Sequence, residues 1–581
     1  SSDFGKVSFT QNLSIWHENS TDADDTQTLT LNGVGEFLRL TQTLTDADGD
    51  TDSASFDLVS AANGGSSIFS IKDDGPDAVA TATTGAGSVA LPTLTLDETT
   101  NLSSGVRSTS ASFLANFDSD STTAGVQTDY GNDGAGSMAF ALSLSADGIG
   151  SGLFAIDSSD TETTVDGYGK GAEILLFNNN GTIEGRTASS TGTQYFSISV
   201  NSDSSSSDFG KVSFTQNLSI WHEDAGTEGD GDHDDIQTLT LNGVGEFLRL
   251  TQTLTDADGD TDSASFDLVS AANGGSSIFS IKDDGPDAVA TATTGAGSVA
   301  LPTLTLDETT NLSSGVRSTS ASFLANFDSD STTAGVQTDY GNDGAGSMAF
   351  ALSLSSNGIG SGLFAIQSSD TDPGTETDSD ADGYGQGDEI LLYNIDGVIE
   401  GRTGRTFLEN GDVDNQGTLY FSISVNSDSS DTDDFGKVSF TQNLSIWHED
   451  AGTEGDGDHD DIQTLTLNGV GEFLRLTQTL TDADGDTDSA SFDLVSAANG
   501  GSSIFSIKDD GPDAVATATT GAGSVALPTL TLDETTNLSS GVRSTSASFL
   551  ANFDSDSTTA GVQTDYGNDG AGSMAFALSL S

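Results

Sequence analysis

Cysteine is absent from all 581 residues. No disulfide can staple this chain, so for an extracellular protein bound metal is the remaining cross-link. Basic residues are nearly as scarce: 16 Lys and Arg stand against 90 Asp and Glu, a formal charge of −74. Phosphate binding needs Lys and Arg, so a nucleic-acid scaffold is excluded. Like charge at this density opposes a compact fold unless counter-ions bind. No apolar run approaches the roughly 20 residues that span a bilayer, so no membrane span is expected. Ser1 opens no recognisable secretion signal and the chain does not begin with Met, which reads as a fragment or processed product. High net charge with low hydrophobicity resembles disorder, but 30 Phe and long alternating apolar runs favour a folded, cation-loaded protein.

What is present is repetition. Residues 27–145, 237–355 and 463–581 are the same 119 residues without one substitution, 210 and then 226 residues apart. Residues 208–236 also equal 434–462, whereas the first copy is shortened to Asn19-Ser20-Thr21-Asp22-Ala23-Asp24. Both ends fall beside the variable segment. The expected organisation is the C-terminal part of one repeat (1–80), two complete repeats (81–290 and 291–516) and the N-terminal part of another (517–581), cut from a longer array.

The stretch Thr255-Asp256-Ala257-Asp258-Gly259-Asp260-Thr261-Asp262 organises each repeat. It recurs with Asp46, Asp48, Asp50 and Asp52, and with Asp482, Asp484, Asp486 and Asp488. Apolar alternation precedes it (Phe247, Leu250, Leu254) and follows it (Ala264, Phe266, Leu268). Carboxylates at every second position suit Ca²⁺, which takes six to eight oxygen ligands in flexible geometry. An EF-hand does not fit: counted from Asp256, glycine falls at position four, not six, and position twelve is Asp267 in a strand-like run. The bland reading is a solvated acidic turn, since Asp and Gly are ordinary turn residues.

About twenty residues later comes a second acidic knot, Asp283, Asp284 and Asp287 around Gly285-Pro286, with counterparts Asp73, Asp74, Asp77 and Asp509, Asp510, Asp513. A third pair opens the following strand run: Asp97-Glu98, Asp307-Glu308 and Asp533-Glu534. Asp283, Asp284 and Asp287 are expected to share a cation with Asp307 and Glu308 of the next repeat. Asp343, in Gly341-Asn342-Asp343-Gly344, is a further calcium candidate, and Asp328-Ser329-Asp330 a weaker one beside the reading of solvated turns.

Strand signals are dense and helix signals nearly absent. In one repeat the expected strands are 304–306, 323–327, 348–354, 363–366, 390–393, 398–401, 420–425, 438–447, 465–467, 473–480, 490–495 and 504–507. Val438, Phe440, Leu444 and Ile446 share one parity against Ser439, Thr441, Asn443 and Ser445, one buried face and one wet. The fold class is therefore all-β, a tandem array of large antiparallel β-sandwich domains of immunoglobulin-like or cadherin-like kind. One sandwich per repeat is favoured, with 287–303 between Pro286 and Pro302 as the inter-domain connector.

Other constellations are weaker. His222 and His233 stand among carboxylates in 222–235, the pattern of a transition-metal site, or of a flexible loop that binds calcium or nothing. The first copy keeps His17 but lacks the second histidine and most of the acids. Trp221-His222 also reads as a core edge with a hydrogen-bonded imidazole, and 370–388 as a long loop. Gly243-Val244-Gly245 has no phosphate logic, because no Lys follows and no helix begins. No cysteine nucleophile and no GxSxG elbow are present, so no enzyme is expected.

In order, one repeat runs Leu306-Asp307-Glu308, Gly341-Asn342-Asp343-Gly344, Ile399-Glu400-Gly401, Tyr420-Phe421-Ser422-Ile423-Ser424-Val425, Gly436-Lys437-Val438-Ser439-Phe440-Thr441-Gln442, Leu444 to His448, Leu480-Thr481-Asp482-Ala483-Asp484-Gly485-Asp486 and Ile507-Lys508-Asp509-Asp510-Gly511-Pro512. This succession resembles the type I secretion target repeats of giant RTX-type bacterial adhesins, over nearly the whole chain. The resemblance implies one-step export, display at the bacterial cell surface, calcium-dependent folding and a part in adhesion or biofilm formation. The glycine-rich nonapeptide repeats, the membrane-retention module and the C-terminal export signal of that family are missing. The expected partners are calcium, neighbouring repeats of the same chain and, in a rival reading, further copies packed into an extracellular filament or surface layer. A sugar-binding array would need an exposed aromatic platform that the few Trp and Tyr do not supply.

Overall fold

A computed structural model describes residues 3–18, 24–61, 65–83, 88–98, 106–117, 128–160, 167–223, 235–271, 276–291, 293, 298–308, 316–327, 339–369, 385–407, 413–449, 461–497, 502–512, 514–522, 524–535, 541–553 and 566–580. Asp513, Asp328, Asp330, His233 and most of 370–388 lie outside them. The fold is all-β: apart from short 3-10 turns, every regular element among the described residues is a strand. No helix among the described residues is long and apolar enough to cross a membrane.

Contacts divide the chain into two units. The first holds Ser1–Gly285, Tyr340–Gly346 and Asp482–Asp486; the second holds Pro286–Asp339, Ser347–Thr481 and Thr487–Ser581.

The first unit contains one large antiparallel sandwich. A six-stranded sheet runs Arg107–Ser112, Lys211–Gln216, Gln194–Val200, Thr182–Thr187, Lys170–Asn179, Ile149–Ile156. A four-stranded sheet runs Ser276–Ser277, Thr261–Ser270, Phe247–Asp256, Ala135–Leu144. A small third sheet places Phe279–Lys282 between Ile236–Thr238 and Leu94–Asp97, the last pairing being parallel. One apolar core joins them, from Leu94 and Phe113 through Phe196 and Phe214 to Phe279 and Ile281. Phe214 packs edge-on against Phe279 at 5.2 Å between ring centres. Each such buried side chain contributes roughly 1.5–3 kcal/mol, and that burial sets the strand faces.

The second unit repeats this plan, with a seven-stranded, a four-stranded and a three-stranded sheet around one core from Leu304 to Ile507. Residues 323–327 form a 3-10 turn, Leu324–Asn326, instead of the expected strand; Phe323 and Phe327 bury themselves at its two ends, and the Asn326 amide donates to the Val299 carbonyl at 2.9 Å. The expected strand 438–447 is two strands, Lys437–Gln442 and Ile446–Trp447, which sit in different places in one sheet. Residues 465–467 form no strand, although Leu465 and Leu467 are buried and the Leu465 N–H bonds to the Phe505 carbonyl. Arg317–Ser322 pairs with Lys437–Gln442, a strand whose Ser-rich sequence carries little apolar signal.

Of the expected connector 287–303, Ala288, Ala290 and Leu301 pack on the second core, and Ala290 bridges Phe327. The division between the two units falls at its start, between Gly285 and Pro286.

Candidate metal centre

Strand parity delivers acids to the end of the core. In Leu94–Asp97 the side chains of Leu94 and Leu96 are buried, and the next residue of that parity is Glu98, fully buried. Phe279 and Ile281 lead in the same way to Asp283, and Leu254 leads to Asp256, since alternate residues share a face. The parallel register, Ile281 opposite Leu96, then sets Asp283 beside Glu98, and the Glu98 N–H bonds to the Lys282 carbonyl at 2.8 Å.

The first unit completes this centre with His222, Asp343, Asp482, Asp484 and Asp486, all buried. His222 Nε2 lies 3.8 Å from Glu98 Oε2 and 3.9 Å from Asp283 Oδ1, beyond hydrogen-bond range. Its main-chain N–H donates to Asp484 Oδ2 at 3.0 Å. In the tip loop, Asp482 Oδ1 accepts the N–H groups of Gly485 and Asp486 at 2.9 and 2.8 Å, which leaves Oδ2 without a partner. Gly485 adopts φ 115°, a conformation that favours glycine. The Gln216 amide donates to Glu98 Oε1, while Glu98 Oε2, Asp283 Oδ2, both Asp343 oxygens and Asp484 Oδ1 have no hydrogen-bond partner.

The loop carrying Asp343 is held from below. Asn342 donates through its main-chain N–H and its side-chain amide to Asp284 Oδ2, at 2.9 and 2.6 Å. Gly341, with φ 72°, lies so close that a β-carbon would stand 2.2 Å from the Asp284 carbonyl oxygen. Only glycine fits there. The same contact recurs at Gly131 over Asp74 and at Gly567 over Asp510.

Six buried carboxylates face one another here, and Arg107, whose guanidinium bonds to the Glu98 carbonyl, is the one cation among the strongest influences on them. Burial pushes Glu98 up to about 7, Asp484 to about 6 and Asp482 to about 10, the last helped by the charges of Asp484 and Asp486. Asp283 and Asp343 are driven well above the carboxylate range, first by burial and then by their acidic neighbours. Burial lowers His222 to about 4, against the pull of Asp486. Such a cluster ionises only if positive charge enters it. Its orphaned oxygens and imidazole nitrogens are the donors a divalent cation takes.

The centre occurs twice more. Still in the first unit, His17, Asp25 and Asp73 converge, and Asp73 also groups with Asp258 and Asp260. His17 Nδ1 is 2.6 Å from Asp25 Oδ1, the main-chain N–H of His17 donates to Asp258 Oδ2 at 3.0 Å, and Asp256 orders its loop as Asp482 does. Asp73 and Asp133 are raised mainly by burial. In the second unit, Glu308, His448 and Asp509 converge, with Asp569 beside them and raised to about 9 by burial and the charges of Glu308 and Asp509.

The expected grouping of Asp283 with Asp307 and Glu308 is therefore replaced: Asp283 meets Glu98, and Glu308 meets Asp509. Asp97 and Asp307 point the other way, toward Lys282 and Lys508 at 3.9 and 3.8 Å. Asp74, Asp284 and Asp510 hold the asparagine loops. Asp77 and Asp287 pair through their N–H groups with the carbonyls of Asp129 and Asp339. Asp262 and Asp488 accept the N–H groups of Ala78 and Ala288. Asp46, Asp48 and Asp50 converge on the exposed surface, Asp52 bonds to Ser53, and Asp533 and Glu534 are exposed. The sequence reading missed Asp133 and Asp569, although both are copies of Asp343, and it ranked His222 with its counterpart His17 only as a weaker transition-metal candidate, paired with His233. The expected hydrogen-bonded imidazole of His222 is met in part: the Asp235 main chain supports the ring, while Nε2 has no such partner.

A family model described as a domain of unknown function, DUF5801, matches residues 1–59, 93–269 and 303–495. The chain belongs to this family. None of the curated proteins matches the chain. The DUF5801 matches include each histidine of the three centres, both buried glutamates, and Asp258, Asp343 and Asp484; Asp73, Asp283 and Asp509 fall just beyond them.

Proposed function

We propose that this chain is an extender segment of a giant RTX-type bacterial surface adhesin, secreted and stiffened by calcium, which holds an adhesive tip away from the cell. One observation carries the reading: the His17 centre takes His17 and Asp73 from one sequence repeat and Asp258 and Asp260 from the next, within one compact unit. An ion there ties successive repeats together. Without it, several acids repel across a gap far shorter than the Debye length of about 8 Å, where salt screens little. The donor set fits calcium, which accepts carboxylates in large, flexible coordination shells. Asp73, Asp258 and Asp260 would hold it, and calcium would supply charge neutralisation and cross-linking. Unchanging copies of a module serve length, and nothing in the centre needs to turn over a substrate.

X-ray scattering of the whole chain tests this. The maximum dimension should be sharply defined in millimolar calcium and broaden in EDTA. Curves that superpose in both conditions would sink the proposal. Electron microscopy of the calcium-loaded chain separates it from the filament rival: isolated beaded threads support an extender, ordered lattices or thick fibres support lateral assembly.

A further inference from the structure

We propose that the His17 and His222 centres each hold two cations, and that the position at each histidine, His448 included, takes a nitrogen-binding divalent transition ion, of the zinc or cobalt kind, beside calcium bound only by oxygen. This rests on the cation-loaded reading above. The imidazoles carry the argument. The side chains of His17, His222 and His448 are 3%, 1% and 3% exposed. A buried imidazole normally satisfies its nitrogens, yet Nε2 of His222 and both nitrogens of His448 lack a hydrogen-bond partner. His222 Nε2 stands 3.8 and 3.9 Å from two carboxylates, as His448 Nε2 stands 3.9 Å from Glu308. Metal–ligand bonds of roughly 2.0–2.4 Å set neighbouring ligands about 3–4 Å apart.

His17 adds the second half of the signature. Its Nδ1 is held by Asp25 at 2.6 Å, and its Nε2 faces Asp73 at 3.8 Å. A carboxylate on one ring nitrogen fixes the tautomer so that the other presents its lone pair to a metal. Asp73 then faces His17 Nε2 on one side and groups with Asp258 and Asp260 on the other. One carboxylate facing two donor groups is the arrangement of a bridge between two ions. Charge points the same way. At the His222 centre, among the described residues, six buried carboxylates stand against Arg107. One divalent ion leaves three negative charges uncompensated, and two ions leave one. Imidazole suits zinc, cobalt and nickel, whereas calcium selects oxygen, so the nitrogen decides which position takes which metal.

The test uses the full chain, saturated with calcium and titrated with Co²⁺ alone, whose visible d–d absorption reports its ligands. About three Co²⁺ should bind per chain, one for each histidine cluster, and calcium should remain bound. In the variant His17→Gln, His222→Gln, His448→Gln, Co²⁺ affinity should fall on the order of a hundredfold, at least as much as outer-shell losses cost. The calcium-induced rise in Tm should persist in that variant. His233→Gln with His459→Gln should change neither. The inference is overturned if Co²⁺ gives no ligand-field band, if the triple variant binds it unchanged, or if the His233/His459 variant loses it. Should the triple variant fail to fold, ¹¹³Cd NMR of the ¹⁵N-histidine-labelled parent chain decides: a Cd–N coupling supports the nitrogen ligand, and oxygen-only shifts refute it. A chain that binds Co²⁺ at these histidines yet gains no stability from calcium would sink the calcium reading and leave the histidine site standing.

Discussion

Asp262 Oδ2 accepts a 2.9 Å hydrogen bond from the main-chain N–H of Ala78, 184 residues earlier in the chain. The fourth aspartate of the tip loop thus clamps backbone just beyond Asp77. Asp488 does the same for Ala288 at 2.8 Å. A hydrogen bond to a charged acceptor contributes about 1.5–3 kcal/mol. Asp262→Ala should therefore speed amide exchange at Ala78 by roughly tenfold or more. Asp262→Asn, which keeps an acceptor oxygen, should lose less. Unchanged exchange in Asp262→Ala would mean that neighbouring contacts hold Ala78 without the carboxylate.

Calcium should raise the melting temperature by mass action, with about 2.7 kcal/mol per site at a hundredfold excess over its Kd. Calorimetry in millimolar calcium and in EDTA measures this directly. Coincident melting curves would remove calcium from the account.

The acids are not equivalent. Asp258→Asn with Asp260→Asn should weaken calcium binding on the order of tenfold or more, because charge count in the ligand set tunes affinity. Asp97→Asn, whose carboxylate faces Lys282 on the outer side of its strand, should leave affinity within a factor of about two, as expected of an exposed ion pair. Isothermal titration compares them, and equal losses would show that the binding centre is misplaced.

Acidity should stabilise the metal-free protein. Glu98 rises from 4.5 to about 7, Asp484 from 3.8 to about 6 and Asp482 from 3.8 to about 10 on folding. A group whose folded pKa is raised contributes fully below its unfolded pKa, and that stability is lost as pH climbs through the folded value. His222, lowered from 6.5 to about 4, works in the opposite sense: its contribution disappears as pH falls from 6.5 toward 4. The carboxylates outnumber it. In EDTA, the melting temperature should fall between pH 5 and pH 8, and saturating calcium should flatten or reverse that slope by holding the acids ionised. An EDTA-treated protein more stable at pH 8 than at pH 5 would contradict the burial of these acids.

Much of this was legible in the residues. Period-two alternation identifies the strand Phe473–Asp482 and its hairpin partner Thr487–Ser496, because burial on one face imposes it. Parity read one step further separates Glu98 from Asp97 and Asp283 from Asp284: the member in phase with Leu96 or Ile281 goes inward. Arg317–Ser322 was not legible, since its side chains carry almost no apolar alternation and its place is set by pairing along Lys437–Gln442. Phe323 and Phe327 looked like a strand because both are buried, and a 3-10 turn buries them equally well.

The sequence by itself determined the all-β class, the repeat, the acid-rich tip loops and the inward phase of Glu98 and Asp283, because each follows from local alternation and turn chemistry. Only the tertiary structure decided which of these acids meet. The Leu94–Asp97 and Phe279–Lys282 strands pair in parallel across 185 residues, as between Thr95 and Ser280. No local pattern encodes that partner. Asp343 and Asp484 reach Glu98 and His222 through distant contacts of the same kind. In three exact copies every acid has several identical candidates for a neighbour, and it is the packing of cores and the register of strands that selects among them.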